Sequence, residues 1–211
     1  MAIIQRGILG GFSNKIGNVV GTSWKGIAVM KSLPLSVANP RTALQVAQRN
    51  KFTYLSKLGS QLLASHIKPL WDRFAQRESG YNAFIRTNLP YVVGDTLFNA
   101  QDFKLSIGKL TSATITSAAF SEISKNLTLQ WDQNSGQGLA LADDQVYIVV
   151  AYGDGNQETL WVKGPTGLTR QNASAVIPVQ DWQLGQNIQV YLSFRRADGS
   201  MVSTSETAQA V

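Results

Sequence analysis

The most regular pattern of apolar positions lies between residues 39 and 62, where they recur close to the spacing of a helix. The apolar positions of this stripe are Leu44, Ala47, Phe52, Leu55, Leu58 and Leu62. Asn39 and Pro40 suit a helix start, because an asparagine side chain accepts a free backbone N–H and a proline in the first turn loses no hydrogen bond. The pattern predicts an amphipathic helix from Asn39, with Phe52 in its core-facing stripe.

Two shorter helices are predicted behind it, one through Trp71 and one over residues 81–88. Lys68-Pro69 indicates a break before the first of them. Pro90 ends the second, because the residue before a proline avoids helical angles. Trp71 and Phe84 occupy apolar helical positions, so we expect both to be buried.

Glycines dominate the first 26 residues, where six of them separate short β-prone pieces. Glycine at this density suits turns and close backbone approach. Residues 19–24 and 27–30 are two such pieces, and only Lys25-Gly26 lies between them. A two-residue connection that ends in glycine predicts a β-hairpin with Trp24 at its tip.

The apolar period changes to two from about residue 102 onward. Candidate strands are Lys104–Leu105, Ala113–Ser117, Leu127–Trp131, Val146–Tyr152, Thr159–Val162, Ala173–Val179, Ile188–Phe194 and Met201–Ser205. Many short strands without a helical period between them indicate a β-sandwich of immunoglobulin or fibronectin type III style. The predicted fold class is α+β: a glycine-rich arm, hairpin and helices over residues 1–95, then the sandwich over residues 101–211.

Charge also separates the two halves of the chain. Residues 1–100 hold 12 Lys and Arg against 3 Asp and Glu, whereas residues 101–211 hold 7 against 10. A basic half indicates nucleic acid, an anionic surface or an acidic protein as partner, or only a solvated face. The basic residues are spread singly from Arg6 to Arg86, which favours distributed contacts over a dedicated DNA-binding arm.

Catalytic and metal-binding chemistry has few candidate residues. The chain has no cysteine and a single histidine, His66, and a helix-end or surface role explains it better than a catalytic triad does. The candidate ligands for a calcium-binding loop are four acidic residues, Asp143, Asp144, Asp154 and Glu158. Their spacing fits no such loop, so we expect solvated turn residues. The sequence predicts no enzyme, no metal and no cofactor.

No membrane segment is expected. The longest apolar run, Val146 to Tyr152, is far short of the roughly 20 residues of a membrane helix. Arg6 and the following glycines interrupt the apolar core that a signal peptide would need. We therefore expect a protein that is assembled without export and has no membrane partner.

A partner surface is predicted on the N-terminal arm and the hairpin tip. An exposed aromatic residue at a tip is a suitable interface anchor, and glycines allow close backbone approach. The predicted interface residues are Arg6, Gly10, Gly11, Phe12, Lys15, Trp24 and Lys25. Trp161 and Trp182 are candidates for an alternative, glycan-binding surface, although strand packing explains them equally well.

An ordered series of motifs carries a family resemblance. The motifs are Gly10-Gly11-Phe12-Ser13-Asn14-Lys15-Ile16-Gly17, Trp24-Lys25-Gly26, Asn39-Pro40-Arg41-Thr42 with Gln45, Gln48-Arg49 and Phe52, then Trp71 and Gly80-Tyr81-Asn82-Ala83-Phe84. Together they resemble an uncharacterised family, a domain of unknown function, of Bacteroidota and their phages. They are also similar to a broader set of phage proteins, over roughly residues 5–90.

The resemblance implies a non-enzymatic structural protein of a tailed-phage virion, in the tail, in the neck or on the capsid, assembled in the host cytoplasm. It assigns no catalytic residue. We expect a symmetric homo-oligomer among other virion proteins, because docking modules repeat with the symmetry of a particle. Two alternatives stay open: a nucleic-acid-binding protein that uses the basic half, and a sandwich that binds a glycan or a host surface.

Overall fold

The computed structural model describes residues 3–4, 12–33, 36, 39–93, 97–98, 101–153, 160–182 and 187–210. The chain forms two compact units, Met1–Thr42 and Ala43–Val211. This division lies elsewhere than the predicted boundary between residues 95 and 101, because the helical segment shares a core with the strands that follow it.

Among the described residues, the first unit is an antiparallel sheet of four strands in the order β1-β2-β3-β4. The strands are β1 Ile3–Ile4, β2 Phe12–Ile16, β3 Val19–Trp24 and β4 Ile27–Ser32. Lys25 and Gly26 connect β3 to β4 with positive φ angles of 47° and 81°, as a type I′ turn requires. The predicted hairpin is present, and the glycine-rich arm adds further strands to it.

The second unit begins with a long helical segment. It consists of α1 Ala43–Leu62, a π-helical turn Leu63–Ile67, α2 Lys68–Trp71, α3 Gly80–Asn88 and a 3-10 turn Leu89–Tyr91. The predicted new start at Lys68-Pro69 is present, because α2 begins at Lys68 with Pro69 in its first turn. No gap precedes it, since the π-helical turn runs directly into α2. No helix of the described residues is long and apolar enough to cross a membrane.

The start and the buried stripe of α1 differ from the prediction. The helix begins at Ala43, directly after Thr42, which is itself a favoured N-cap residue type; the predicted start at Asn39 is wrong. Leu44 is 84% and Phe52 51% exposed, so the predicted core position of Phe52 is wrong as well. The reason is that the buried part of α1 begins only at Tyr54. The predicted burial of two other aromatic residues is confirmed, for Trp71 and Phe84.

Two larger antiparallel sheets follow the helices. A two-stranded ribbon pairs β5 Val92–Val93 with β6 Leu97–Phe98. The later strands are β7 Ile115–Ser121, β8 Asn126–Trp131, β9 Gln145–Gly153, β10 Leu160–Lys163, β11 Ser174–Pro178, β12 Asn187–Arg195 and β13 Glu206–Gln209. They form a four-stranded sheet, β10-β9-β12-β13, and a three-stranded sheet, β11-β8-β7. Helices and several antiparallel sheets together make the fold α+β.

The central strands of the four-stranded sheet, β9 and β12, are buried on both faces. Val150 of β9 lies in a core shared with the three-stranded sheet, where it joins Leu129. Val149, the next residue of β9, lies in a second core with Leu55 of α1 and Phe84 of α3. Successive residues of a strand point to opposite faces, so the helices cover one face of this sheet and the three-stranded sheet covers the other.

Candidate docking surface

The sheet of the first unit has two distinct faces. Lys15, Val20 and Lys31 are directly paired across β2, β3 and β4, and Trp24 is paired with Ile27. Directly paired residues point to the same side of a sheet. One side, here called the lysine face, therefore carries Lys15, Val20, Thr22, Trp24, Ile27, Val29 and Lys31. The other side, the Met30 face, carries Asn14, Ile16, Val19, Gly21, Ser23, Ala28, Met30 and Ser32.

Apolar side chains are exposed on both faces. On the lysine face, Trp24 is 44% and Ile27 47% exposed; on the Met30 face, Met30 is 65% exposed. Gly21 is the only buried residue among those of β2–β4 whose burial the structure describes. A small sheet is stable only when an apolar face is covered. The structure describes no core against either face of this sheet, so its apolar side chains are available to a covering element.

The charge of this sheet has a single sign. Residues 1–71 hold nine Lys and Arg and no Asp or Glu. Lys15 and Lys31 are exposed on the lysine face. In the turn beside them, the Lys25 ammonium lies 5.1 Å from the centre of the Trp24 ring, within the range of a cation–π contact. Such a surface attracts acidic partners and repels basic ones.

The structure brings three of the seven predicted interface residues into this surface. Trp24 and Lys15 lie on the lysine face, and Lys25 lies in the adjoining turn. Phe12 is the first residue of β2, and its side chain lies outside the described part of the chain. Arg6, Gly10 and Gly11 lie outside the described residues.

The predicted interface did not include β4, although its strand was predicted. Ile27, Val29 and Met30 are exposed to at least about the same fraction as Trp24. Their signal in the sequence is the run Ile27-Ala28-Val29-Met30, which is apolar at every position and so gives both faces of the strand an apolar side chain. Such a run is expected of a strand buried on both faces, and here it is exposed.

Exposed apolar side chains also occur along the first half of α1, in the second unit. Leu44, Val46 and Phe52 are exposed there, by 84%, 39% and 51%. No Asp or Glu lies in α1, whereas Arg49, Lys51 and Lys57 do. This part of α1 therefore carries both exposed apolar and basic groups.

The predicted surface role of His66 is wrong, because the π-helical turn buries the ring to 5% exposure. Its Nε2 lies 3.1 Å from the carbonyl oxygen of Ile148 and its Nδ1 lies 2.9 Å from Ser65 Oγ. A carbonyl only accepts, so Nε2 carries the proton and donates it. Burial lowers the pKa of His66 to about 4. The neutral ring therefore ties the helices to β9 and has no nitrogen left for a substrate.

A cavity of about 390 Å³ lies beside His66, lined in part by Ser65, Tyr147, Lys163 and Leu168. Its size is within the usual range of small-molecule sites. The ring of His66 meets Tyr147 edge-on, at 5.8 Å between centres. These contacts pack the cavity wall, and they do not by themselves select a ligand.

The acidic loop residues play a structural part. Asp144 is fully buried and its Oδ2 lies 3.1 Å from the Arg170 guanidinium, which is fully buried too; the predicted solvated role of Asp144 is wrong. Arg170 also donates to Asn134 Oδ1 at 2.6 Å and lies over the Phe194 ring at 3.9 Å. This cluster closes one end of the two-sheet core.

The other candidate acidic residues form no cluster in the structure. Asp143 is exposed, and Asp154 and Glu158 lie outside the described residues. Among the residues that the structure describes, no group of three or more His, Cys, Asp or Glu is placed to hold a metal ion.

The two tryptophans considered for glycan binding pack into the second unit. Trp182 is 8% exposed, and the Lys125 ammonium lies 4.4 Å from its ring centre. Trp161 stacks on Tyr191 at 5.9 Å and its Nε1 donates to Tyr54 Oη at 3.2 Å. One edge of Trp161 still lines a groove of about 520 Å³ between α1 and β10.

The chain belongs to DUF6266, a family of unknown function, which it matches over residues 11–207. The resemblance to an uncharacterised family is therefore confirmed, and the match extends well beyond the 5–90 range on which it rested. The link to Bacteroidota and phages stays a prediction. No curated protein matches the chain. No solved structure matches it either.

Proposed function

We propose that this chain is a non-enzymatic structural protein that joins a larger assembly by docking its first sheet onto an acidic protein surface. The observation that carries the proposal is the lysine face, where Trp24, Ile27 and Val29 are each more than 40% exposed in a segment without acidic residues. Apolar area framed by one sign of charge is typical of an interface with a complementary partner.

Burial of exposed apolar side chains would contribute favourable free energy to docking of this sheet. Fully burying a side chain of this size stabilises a complex by roughly 1.5–3 kcal/mol. Covering the exposed part of Trp24, Ile27 and Val29 would thus contribute on the order of 3 kcal/mol, before ordering costs. The aromatic ring of Trp24 is a favoured anchor type for such a contact.

The assembly that we propose is a tailed-phage virion, with the chain in the tail, in the neck or on the capsid. The proposal rests on the ordered motifs of the first 90 residues and on the resemblance to phage proteins that we infer from them. Symmetric multiplicity follows from the symmetry of such particles. We also propose that the two larger sheets form an immunoglobulin- or fibronectin-like sandwich, which is supported by their shared core.

Mass spectrometry of purified particles tests the virion assignment. We expect the chain to be present in stoichiometric amounts in particles that withstand high-salt washing. Particles that lack it would overturn the virion role.

A matched pair of variants tests the docking surface. Val29→Ser on β4 and Val176→Ser on β11 each alter a strand valine that is about half exposed, by 43% and 55%. We expect Val29→Ser to reduce incorporation into particles several-fold and Val176→Ser to leave it unchanged. Equal incorporation of both variants would contradict docking through the lysine face.

Nucleic-acid binding is the second candidate, favoured by the nine basic residues of positions 1–71. Phosphate-driven binding is strong at low salt and weakens steeply as salt rises. Its test is DNA binding by the purified chain at about 50 mM salt, on the strong side of that range. Absence of salt-sensitive binding there would eliminate this candidate and leave the protein-docking proposal in place.

A further inference from the structure

β4 is an edge strand whose outer side has no neighbour among the described strands. Its inner side pairs with β3 from Val19↔Ser32 to Trp24↔Ile27, without a bulge. All six residues of β4 are exposed. Edge strands of natural sheets are usually protected by proline, bulges, covering elements or inward charges. Among the described residues, Lys31 is the only such device within β4, which favours pairing with a further strand.

The pairing pattern shows which backbone groups of β4 point outward. Trp24 and Ile27 flank a two-residue turn, so they form a hydrogen-bonded pair, and the Leu33 N–H donates to the Asn18 oxygen at 2.7 Å. In an antiparallel ladder, hydrogen-bonded and non-bonded pairs alternate. Residues 27, 29, 31 and 33 therefore bond to β3. The N–H and C=O groups of Ala28, Met30 and Ser32 point away from the sheet.

Charge decides what kind of strand fits. A strand added beside β4 would place every second side chain along Ile27, Val29 and Lys31 on the lysine face, and the others along Ala28, Met30 and Ser32. No Asp or Glu of residues 1–71 neutralises the lysines of this sheet. A second copy of β4 would bring more lysine to the same face, whereas acidic side chains would meet Lys31, with Lys15 on the same face two strands further in.

We propose that β4 takes an extended segment of a partner protein as a fifth antiparallel strand, with acidic side chains on the lysine face and apolar side chains on the Met30 face. This proposal rests on the docking function proposed above and names its partner chemistry. The main chain of Ala28, Met30 and Ser32 supplies the hydrogen bonds, and side-chain alternation supplies the specificity.

A synthetic peptide serves as the probe, because its pattern can be set. The peptide is ten residues of alternating Glu and Val with blocked ends, and the control peptide alternates Lys and Val. Fluorescence anisotropy with the full chain should give at least about tenfold tighter binding of the Glu peptide at low salt. Equal binding of the two peptides, or none of either, would overturn the proposal.

Two variants of one residue separate main-chain pairing from side-chain contact. Met30→Pro removes an outward N–H, which an edge strand tolerates, whereas Met30→Ala keeps that N–H and removes the side chain. We expect Met30→Pro to abolish binding of the Glu peptide and Met30→Ala to change it less than about threefold. Unchanged binding to Met30→Pro would show that the peptide does not pair with β4.

Hydrogen exchange of the unaltered chain tests the same pairing without a substitution, so the result does not depend on whether Met30→Pro disturbs the sheet. In the unaltered chain, the Glu peptide should slow exchange of the Ala28, Met30 and Ser32 amides. Slowing elsewhere but not there would overturn the proposal. Particle incorporation distinguishes the docking proposal from the strand-addition proposal. If Val29→Ser blocks incorporation and Met30→Pro does not, docking stands and strand addition fails. If the Glu peptide protects the β4 amides but the chain is absent from particles, strand addition stands and the virion role fails.

Discussion

The first sheet and the four-stranded sheet of the second unit use the same antiparallel pairing in opposite surroundings. β9 is almost entirely buried, because helices cover one face and a second sheet covers the other. β4 is exposed along its whole length. Both strands are rich in apolar residues, so composition does not separate them. The comparison shows that an apolar strand becomes part of a core only where other elements cover it. An apolar sheet without such cover has exposed side chains that a partner protein can bury.

The largest expected effect lies in the second unit, at Arg170. Replacing it with Ala leaves Asp144 buried without its main partner, which costs about 3–5 kcal/mol of unfolding free energy. Urea denaturation of the purified chain measures this loss. The same change should leave the pairing of β3 with β4 intact, because the described hydrogen bonds of Arg170 join residues of the second unit.

Arg86→Ala is the control for that prediction. Arg86 pairs with Glu78 at 2.7 Å, but its side chain is 68% exposed. Exposed pairs contribute about 0–1 kcal/mol. If Arg170→Ala destabilises the chain no more than Arg86→Ala does, the buried cluster is not what holds that end of the core.

The next effect is a pH dependence confined to the second unit. Burial lowers the pKa of His66 to about 4 in the folded chain, against about 6.5 when unfolded. Between these values the unfolded chain binds more protons. The contribution of His66 to the free energy of unfolding should therefore be fully present above pH 6.5. It should fall by about 3 kcal/mol as the pH drops toward 4.

His66→Gln removes that contribution, so its unfolding free energy should change less between pH 6.5 and 4. Residues 12–32 hold no His, Asp or Glu, and the first sheet should not respond in this window. Parallel denaturation series of the two proteins check the point. Identical pH slopes would mean that His66 does not titrate as a buried ring.

A matched pair of valines gives a smaller effect and the most direct contrast between the sheets. Val150 in β9 is completely buried, whereas Val29 in β4 is 43% exposed. Val150→Ala should cost about 2 kcal/mol through lost burial and a cavity, and Val29→Ala less than about 0.5 kcal/mol in the free chain. Equal costs would show that β4 is already covered.

Local sequence signals predicted the parts of the fold that depend on local chemistry. The hairpin followed from Lys25-Gly26, because few turns join two strands with only two residues and both adopt positive φ here. Six of the eight strands predicted in the second half overlap β7 to β12, as their period of two indicated. The other two predictions are wrong: Lys104–Leu105 is not a strand, and Met201–Ser205 contains only isolated bridges ahead of β13. Trp24 and Lys15 were predicted in the partner surface, and the structure places both on one face.

The remaining features depend on contacts between distant segments. The apolar stripe of α1 looks alike at Phe52 and Leu55, yet only Leu55 meets a core. Arg170 and Asp144 are 26 residues apart, and no spacing rule joins them. β4 and β9 are both apolar runs, and only the tertiary structure shows which one is covered.

Hydrogen exchange of the whole chain, free and in purified particles, tests the central claim most directly. In the free chain, the amides of β9 and β12 should exchange slowly and those of β2–β4 rapidly, because local stability follows burial. In particles, exchange in residues 12–32 should slow at least about a hundredfold while β9 and β12 change little. Slow exchange of β2–β4 in the free chain, or unchanged exchange in particles, would contradict the account.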